Sequence, residues 1–252
     1  MIIRKKEIDS TNKCALMLLQ EGGINAVSEY DNCMITAESQ SAGRGRYGRI
    51  WHSPVGNLYA SYIISDPIFP PFSSLWICGL AVLETIEKIA PGIKPWLKWP
   101  NDIYITDADG MNRKISGLLA ETFMLAGKNG AAAIVCGIGV NINMSESEVK
   151  SIDKPASSLL AETNRKFDVE NFGDTMYGFI KSYRVELEID FDGIYKKWKN
   201  ANKLIGMEIK IGQDNGMEIE GKVADVQKDG SLVFEKSDGE LINIVSGDII
   251  FI

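Results

Sequence analysis

With 252 residues, 45% of them apolar and 24% charged, the chain is long enough for a core-bearing domain and a small second one. Its net charge of -7 argues against general nucleic-acid binding, and its single histidine, His52, removes serine–histidine–aspartate and cysteine–histidine catalysis unless His52 itself serves. Cys14, Cys33, Cys78 and Cys136 are scattered through apolar patterns with neither disulfide nor zinc-ligand spacing, which predicts reduced core thiols in a cytoplasmic protein.

In chain order, Met1-Ile2-Ile3 runs at once into Arg4-Lys5-Lys6-Glu7, without the apolar stretch of a signal peptide. Asp9-Ser10-Thr11-Asn12 then caps an amphipathic helix that Gly22-Gly23 is expected to end. Met34 to Glu38 and Leu58 to Ile64 read as strands on either side of a glycine-rich loop. Ser73 to Ile89 reads as a helix apolar all round, hence buried; Glu84, Glu87 and Lys88 interrupt it, so it is no membrane span. Trp96 to Trp99 and Asn101 to Ile105 form strand, turn, strand, and Asp107-Ala108-Asp109-Gly110 a hairpin turn. Lys114 to Leu125 and Ala131 to Val140 look like neighbouring strands. Ser145 to Pro155 reads as a polar, mobile loop, and helices follow near Ser157 to Lys166, Val169 to Asp190 and Gly193 to Lys199.

After Asn202 the pattern changes to short strands. They are separated by Asp214-Asn215-Gly216, Lys228-Asp229-Gly230, Ser237-Asp238-Gly239 and Ser246-Gly247-Asp248, which predicts a small β-barrel or sandwich. The expected division is therefore 1–202 and 203–252.

The chemistry concentrates in four motifs. Gly43 to Ser61 reads GRGRYGRIWHSPVGNLYAS. Glycines that permit close backbone approach alternate with Arg44, Arg46 and Arg49, whose planar cations match carboxylates and phosphates. Gly43, Gly45 and Gly48 satisfy a dinucleotide-binding spacing, but Pro54 denies the helix that such a site requires. Lys98-Trp99-Pro100-Asn101-Asp102 sets a cation, an amide and a carboxylate around a proline turn, where Asp102 could pair Lys98 or a loop arginine. Lys114 opens an apolar strand in which Ser116-Gly117 allows close approach. Gly137-Ile138-Gly139-Val140-Asn141-Ile142-Asn143 ends another, and Asn141 there is a candidate reader of a base or amide edge, since a buried asparagine is costly unless bonded. Taken singly, each motif is equally compatible with a solvated turn or a strand end.

Together and in this order, GRGRxGRxWxSPxGNLYxS, KWPND, KxxGxLxE and GxGxNxN resemble the biotin protein ligase family. Asp9 to Asn12 and Pro155-Ala156-Ser157-Ser158-Leu159 fit as well. The segment 54–58 is one residue shorter than the commonest form, a change confined to a turn. The resemblance implies an α+β fold: a central mixed or antiparallel sheet with helices, like class II synthetases, plus a small SH3-like C-terminal β-barrel. Because the first motif starts at Asp9, the stand-alone ligase is expected, without the DNA-binding winged helix of the family's regulators.

The implied activity is synthesis of biotinyl-AMP from biotin and ATP with Mg²⁺, then transfer of biotin to a lysine of a biotin carboxyl carrier protein. By resemblance, Ser10, Thr11, Asn12, Gln40, Arg44, Gly45, Arg46, Lys114 and Gly117 fall at biotin. Arg46, Arg49, Trp51, Asn101, Lys114 and Asn141 fall at the nucleotide. Arg46, Lys114 and Asp102 fall at the reacting phosphate, and Mg²⁺ is expected to be held mainly by ATP. No nucleic acid or membrane is expected as a partner, while a homodimer through an edge strand is compatible. A lipoate-type ligase or acyltransferase and a non-catalytic biotin- or nucleotide-binding module remain as alternatives. The arginine–glycine run favours the first reading. Residues 43–51 and 145–155 are expected to be mobile without ligand.

Overall fold

The computed structural model describes residues 1–127, 132–212 and 218–251. The expected strand start at Ala131 and the turn Asp214-Asn215-Gly216 lie outside them. A seven-stranded mixed sheet organises the larger part, in the order β1-β2-β3-β7-β6-β5-β4. Its strands are β1 (Ile2–Ile8), β2 (Met34–Gln40), β3 (Leu58–Ser65), β4 (Trp96–Lys98), β5 (Asp102–Thr106), β6 (Asn112–Phe123) and β7 (Ala133–Val140). Only β1 and β2 run parallel; the remaining neighbours are antiparallel. A second, fully antiparallel sheet joins β8 (Glu208–Gly212), β9 (Glu218–Val226), β10 (Leu232–Lys236), β11 (Leu241–Ile244) and β12 (Asp248–Phe251) in the order β11-β10-β9-β8-β12.

Period-two alternation assigns the two faces of the large sheet. On one face Ile35, Ile63 and Val135 pack with Ala15, Leu19, Ala26 and Val27 of α1 (Thr11–Glu29). On the other, α2 (Ser73–Ile89), α5 (Val169–Ile189) and α6 (Phe191–Ala201) cover Tyr62, Cys136, Ile138 and Leu118. The apolar-all-round reading of α2 holds, since its neighbours are the sheet and the two other helices. Trp76 lies at their junction, 1% exposed. It stacks on Trp198 at 5.1 Å and meets Phe72, Phe191 and Tyr195. Trp76→Ala is expected to cost about 3–5 kcal/mol, measured as a shift of the denaturant midpoint.

Three local expectations change. Gly22-Gly23 does not end α1; Gly23 adopts φ 57°, ψ -136° and kinks it, and the helix resumes to Glu29. The polar run after Ser145 is not all loop: α3 (Glu146–Lys150) forms there, capped by reciprocal bonds between Ser145 and Glu148. The helix expected from Ser157 shortens to α4 (Leu159–Thr163), capped by Ser158 and closed by left-handed Asn164. No helix among the described residues is long and apolar enough to cross a membrane.

Candidate active site

Helix α1 packs on β2, β3 and β7 and only marginally on β6, so beyond it a loop residue covers the floor of the sheet. Cross-strand partners there form one row: Tyr59, Gly139, Gly117, Asp102 and Lys98. Directly opposed residues share a face. Two glycines therefore sit side by side in mid-sheet, and the indole of Trp51 lies across them. A Cβ at Gly139 would stand 2.4 Å from Trp51 Cε2, and one at Gly117 2.9 Å from Cζ3. The indole Nε1 is buried and has no hydrogen-bond partner among the described residues.

From a neighbouring position on β6, Lys114 Nζ pairs with Asp102 Oδ1 at 2.6 Å and stands 5.2 Å from the Trp51 ring centroid. Asp102 thus pairs with Lys114, and with neither Lys98 nor a loop arginine. A register shift between β5 and β6 beside Ile103 and Tyr104 accompanies this placement. The Lys114 backbone is pinned by Pro155 and Ser157, which explains in physical terms why the Pro155-to-Leu159 run belongs with the site. Asn141, 4% exposed, gives its amide nitrogen to the Ser157 carbonyl at 3.0 Å and so braces the same segment.

The other end of the site is the N-terminus of α1. Ser10 caps it. Gln40 Oε1 accepts from the Thr11 backbone at 2.8 Å and from the Thr11 hydroxyl at 3.2 Å, while its Nε2 donates to Ser53 at 2.9 Å. Asn12 accepts from Ser61 Oγ at 2.5 Å and donates to Glu121 Oε2 at 2.7 Å. Its side chain fills the space a Cβ on Gly137 would need, 2.4 Å from that position. The alternation in Gly137-Ile138-Gly139 therefore has a steric cause: one glycine admits Asn12, the other Trp51.

The glycine–arginine loop arches over this floor, closed by Gly45 N to Arg49 O at 2.7 Å and Trp51 N to Gly43 O at 3.0 Å. Each arginine has a separate partner. Arg44 reaches Glu121 Oε2 at 3.0 Å. Arg46 donates to Asn101 Oδ1 at 3.1 Å and to the Tyr47 hydroxyl at 3.0 Å; Asn101 is itself anchored on the Leu118 carbonyl at 2.5 Å. Arg49 forks onto Asp248 of β12, with Nη1 to Oδ1 at 2.9 Å. This fork raises the Arg49 pKa and holds the Asp248 carboxyl down to about 2.

The clamp's contribution to stability is therefore complete above the ordinary aspartate range, declines as pH falls below it, and is gone once pH has fallen through about 2. Both partners are well exposed, so Asp248→Asn is expected to change stability by less than about 1 kcal/mol. It is expected instead to speed amide exchange across residues 43–51, read by hydrogen exchange.

The contacts join Thr11, Asn12, Gln40, Arg44 to Trp51, Asn101, Asp102, Lys114 and Gly117 on one surface, whereas Asn143 bonds Phe167 outside it and Ser116 faces the other side of the sheet. Glu121, Asp248, Gly137 and Gly139 complete it, although no role was expected of them. Glu121 closes the KxxGxLxE motif and the two glycines lie in GxGxNxN, so their signal was local. Asp248 meets Arg49 across 199 residues of sequence, and no local pattern marks it.

Comparisons with known proteins bear on the family and the fold. The model of the Biotin/lipoate A/B protein ligase family matches residues 5–141. The bifunctional ligase/repressor BirA of Bacillus spizizenii is 31% identical over 255 aligned positions, covering 98% of this chain and 73% of that protein. The biotin–[acetyl-CoA-carboxylase] ligase of Paracoccus denitrificans is 26% identical, covering 96% of this chain and 97% of its own length. The biotin protein ligase from Aquifex aeolicus, solved in complex with biotin and ATP, superposes with a TM-score of 0.76 at 26% identity, covering 98% of this chain and 97% of that one. The family model spans more than half of the sequence and the fold agrees with it, so the chain belongs to the biotin/lipoate A/B protein ligase family.

Proposed function

We propose that this chain is a biotin–[acetyl-CoA-carboxylase] ligase. It activates biotin with ATP to biotinyl-5'-AMP and pyrophosphate, then transfers biotin to one lysine of a biotin carboxyl carrier protein. The observation that carries this reading is the order of groups on one face. Polar readers at the N-terminus of α1 come first, then the apolar platform of Trp51 on Gly117 and Gly139, then Lys114 with Asp102 and Arg46. That order suits an acid with a polar head and apolar body whose carboxylate meets a nucleotide phosphate. The named complexes of the relatives support it.

In the first step a biotin carboxylate oxygen attacks the α-phosphorus, and the bond to the bridging oxygen breaks with its electron pair leaving on pyrophosphate. Both reactants are anions, so Lys114 and Arg46 lower their repulsion and stabilise the charge that grows on phosphate. Ser10, Thr11, Asn12 and Gln40 hold the ureido head, with Arg44, Gly45 and Gly117 along the biotin body. Trp51, Asn101, Arg49 and Asn141 surround the nucleotide, and the orphaned indole N–H of Trp51 is a donor awaiting an acceptor there.

Magnesium fits as a passenger on the triphosphate. Among the described residues no group of three acidic, histidine or cysteine side chains is placed to cage an ion, and an ion held by one or two carboxylates plus phosphate oxygens is ordinary for Mg²⁺. When bound, it neutralises charge on the departing phosphates. In the second step the acceptor lysine amine attacks the acyl carbon, AMP leaves, and the amine loses a proton.

The division into a catalytic unit of residues 1–202 and a β unit of residues 203–252 belongs to the same proposal. Asp248 gives the smaller unit a direct hold on the loop. The test is incubation with biotin, ATP, Mg²⁺ and a biotin carboxyl carrier domain, read by intact mass. One biotin per acceptor, abolished when the acceptor lysine is changed to arginine, is expected; an unmodified acceptor with all substrates present would refute transfer.

A further inference from the structure

Lys98 opens KWPND and ends the row that crosses the ligand face. It is 8% exposed. Among the described residues it has neither an ion pair nor a hydrogen bond; its Nζ instead faces the rings of Tyr104 at 4.9 Å and Phe251 at 5.6 Å. The carboxylates nearest in charge are already engaged, Asp102 by Lys114 and Asp248 by Arg49 and Lys154. Burial accordingly pulls the ammonium pKa down to about 8, with Asp102 and Asp248 opposing that pull and Lys114 and Lys154 adding to it.

A buried cation without a counter-ion is expensive to hold, and an apolar side chain could pack those rings at no such cost. The surroundings add to the imbalance. Around Asp102 and Asp248 stand Lys98, Lys114, Arg49 and Lys154, four cations for two carboxylates in a chain of net charge -7. Such a site suits a polyphosphate.

Direction selects which phosphates. In-line displacement places nucleophile and leaving group on opposite sides of the phosphorus. Asn12 and Gln40, where biotin enters in the ligase reading, lie on the β2–β3–β7 side of Lys114, and Lys98 lies on the opposite side, beyond Asp102. We propose that Lys98 binds the β- and γ-phosphates of ATP and thus the departing pyrophosphate, leaving the α-phosphate to Lys114. Lys98 is then a catalytic residue of the first step, roofed by Phe251 of the C-terminal sheet. The bond that breaks is the one between the α-phosphorus and the bridging oxygen, and Lys98 offsets the charge gained by that oxygen's side.

The inference rests on the ligase reading, so wild-type protein is measured beside Lys98→Met and Lys98→Gln. The assays are biotin-dependent exchange of inorganic pyrophosphate into ATP, transfer from preformed biotinyl-AMP to a carrier domain, and melting of the unliganded proteins. Both variants are expected to raise the KM for pyrophosphate by about tenfold or more, as loss of a charged phosphate contact does. Transfer, which involves no pyrophosphate, is expected to fall far less, and the melting temperature is expected to hold or rise because an unpaired buried charge has gone.

An unchanged KM for pyrophosphate, equal losses in both half-reactions, or a lower melting temperature showing that the fold needs the charge would each overturn the role of Lys98. Absence of exchange in the wild type would overturn the ligase reading itself.

Discussion

Lys114→Met is expected to slow formation of biotinyl-AMP by about 10²–10³-fold, the scale seen when one preorganised group facing a developing charge is removed. Lys114 is the cation that joins the two halves of the site: it pairs with Asp102 at 2.6 Å and faces the Trp51 ring at 5.2 Å. Methionine keeps most of the stem, so packing against Gly117 survives while the charge is lost. Single-turnover adenylate formation, followed by quench and chromatography, reads the effect. A normal rate in a folded variant would remove Lys114 from the chemistry. Arg46→Ala is expected to act in the same direction, since Arg46 is held toward the site by Asn101.

The second large effect is steric. Gly139→Val sets a branched side chain where Trp51 lies, 2.4 Å from Cε2 and 2.5 Å from Nε1. The obstacle is an indole on a loop, and no positive φ is recorded at Gly139, so the strand tolerates the residue and the indole is displaced. Stacking of a base on an aromatic ring is worth about 1–3 kcal/mol, so the KM for ATP is expected to rise by about ten- to a hundredfold while that for biotin changes little. Gly137→Ala is the complementary case: its Cβ meets the Asn12 side chain, and the loss is expected in biotin binding. Steady-state kinetics with each substrate varied separates the two. Identical effects of both substitutions on both substrates would contradict the division of the floor into two subsites.

Much of this fold is legible in the sequence because buried strands and capped helices leave local marks. Leu58 to Ile64 and Ala133 to Val140 are nearly continuous apolar runs, as strands covered on both faces are. The first strand is harder to see. In β1, Ile2–Ile8, the central Arg4-Lys5-Lys6-Glu7 is exposed, and charges of this kind suit a sheet edge better than an alternating core pattern. The kink at Gly23 is misread as a stop because glycine signals both; what carries α1 past it is packing of Ala26 and Val27 on the sheet. In the Ser145 region the Ser-x-x-Glu spacing was present, and overall polarity masked it.

The site was legible to the extent that its residues lie in runs. Ser10 to Asn12, Gly43 to Trp51, Asn101-Asp102 and Lys114 to Gly117 are each local, and the sheet register brings them together. What local reading cannot give is pairing: that Asp102 belongs to Lys114, that Arg44 and Asn12 share Glu121, and that Arg49 reaches the C-terminal sheet at Asp248. Those contacts depend on register and on the docking of one sheet beside the other.

The central claim is adenylate chemistry on biotin, and biotin-dependent exchange of labelled pyrophosphate into ATP tests it most directly. Purified protein with ATP and Mg²⁺ is predicted to exchange label when biotin is added and to show none when lipoate replaces it. Exchange supported by lipoate and not by biotin would transfer the protein to the sister activity of its family, and no exchange with either acid in a folded sample would contradict the account.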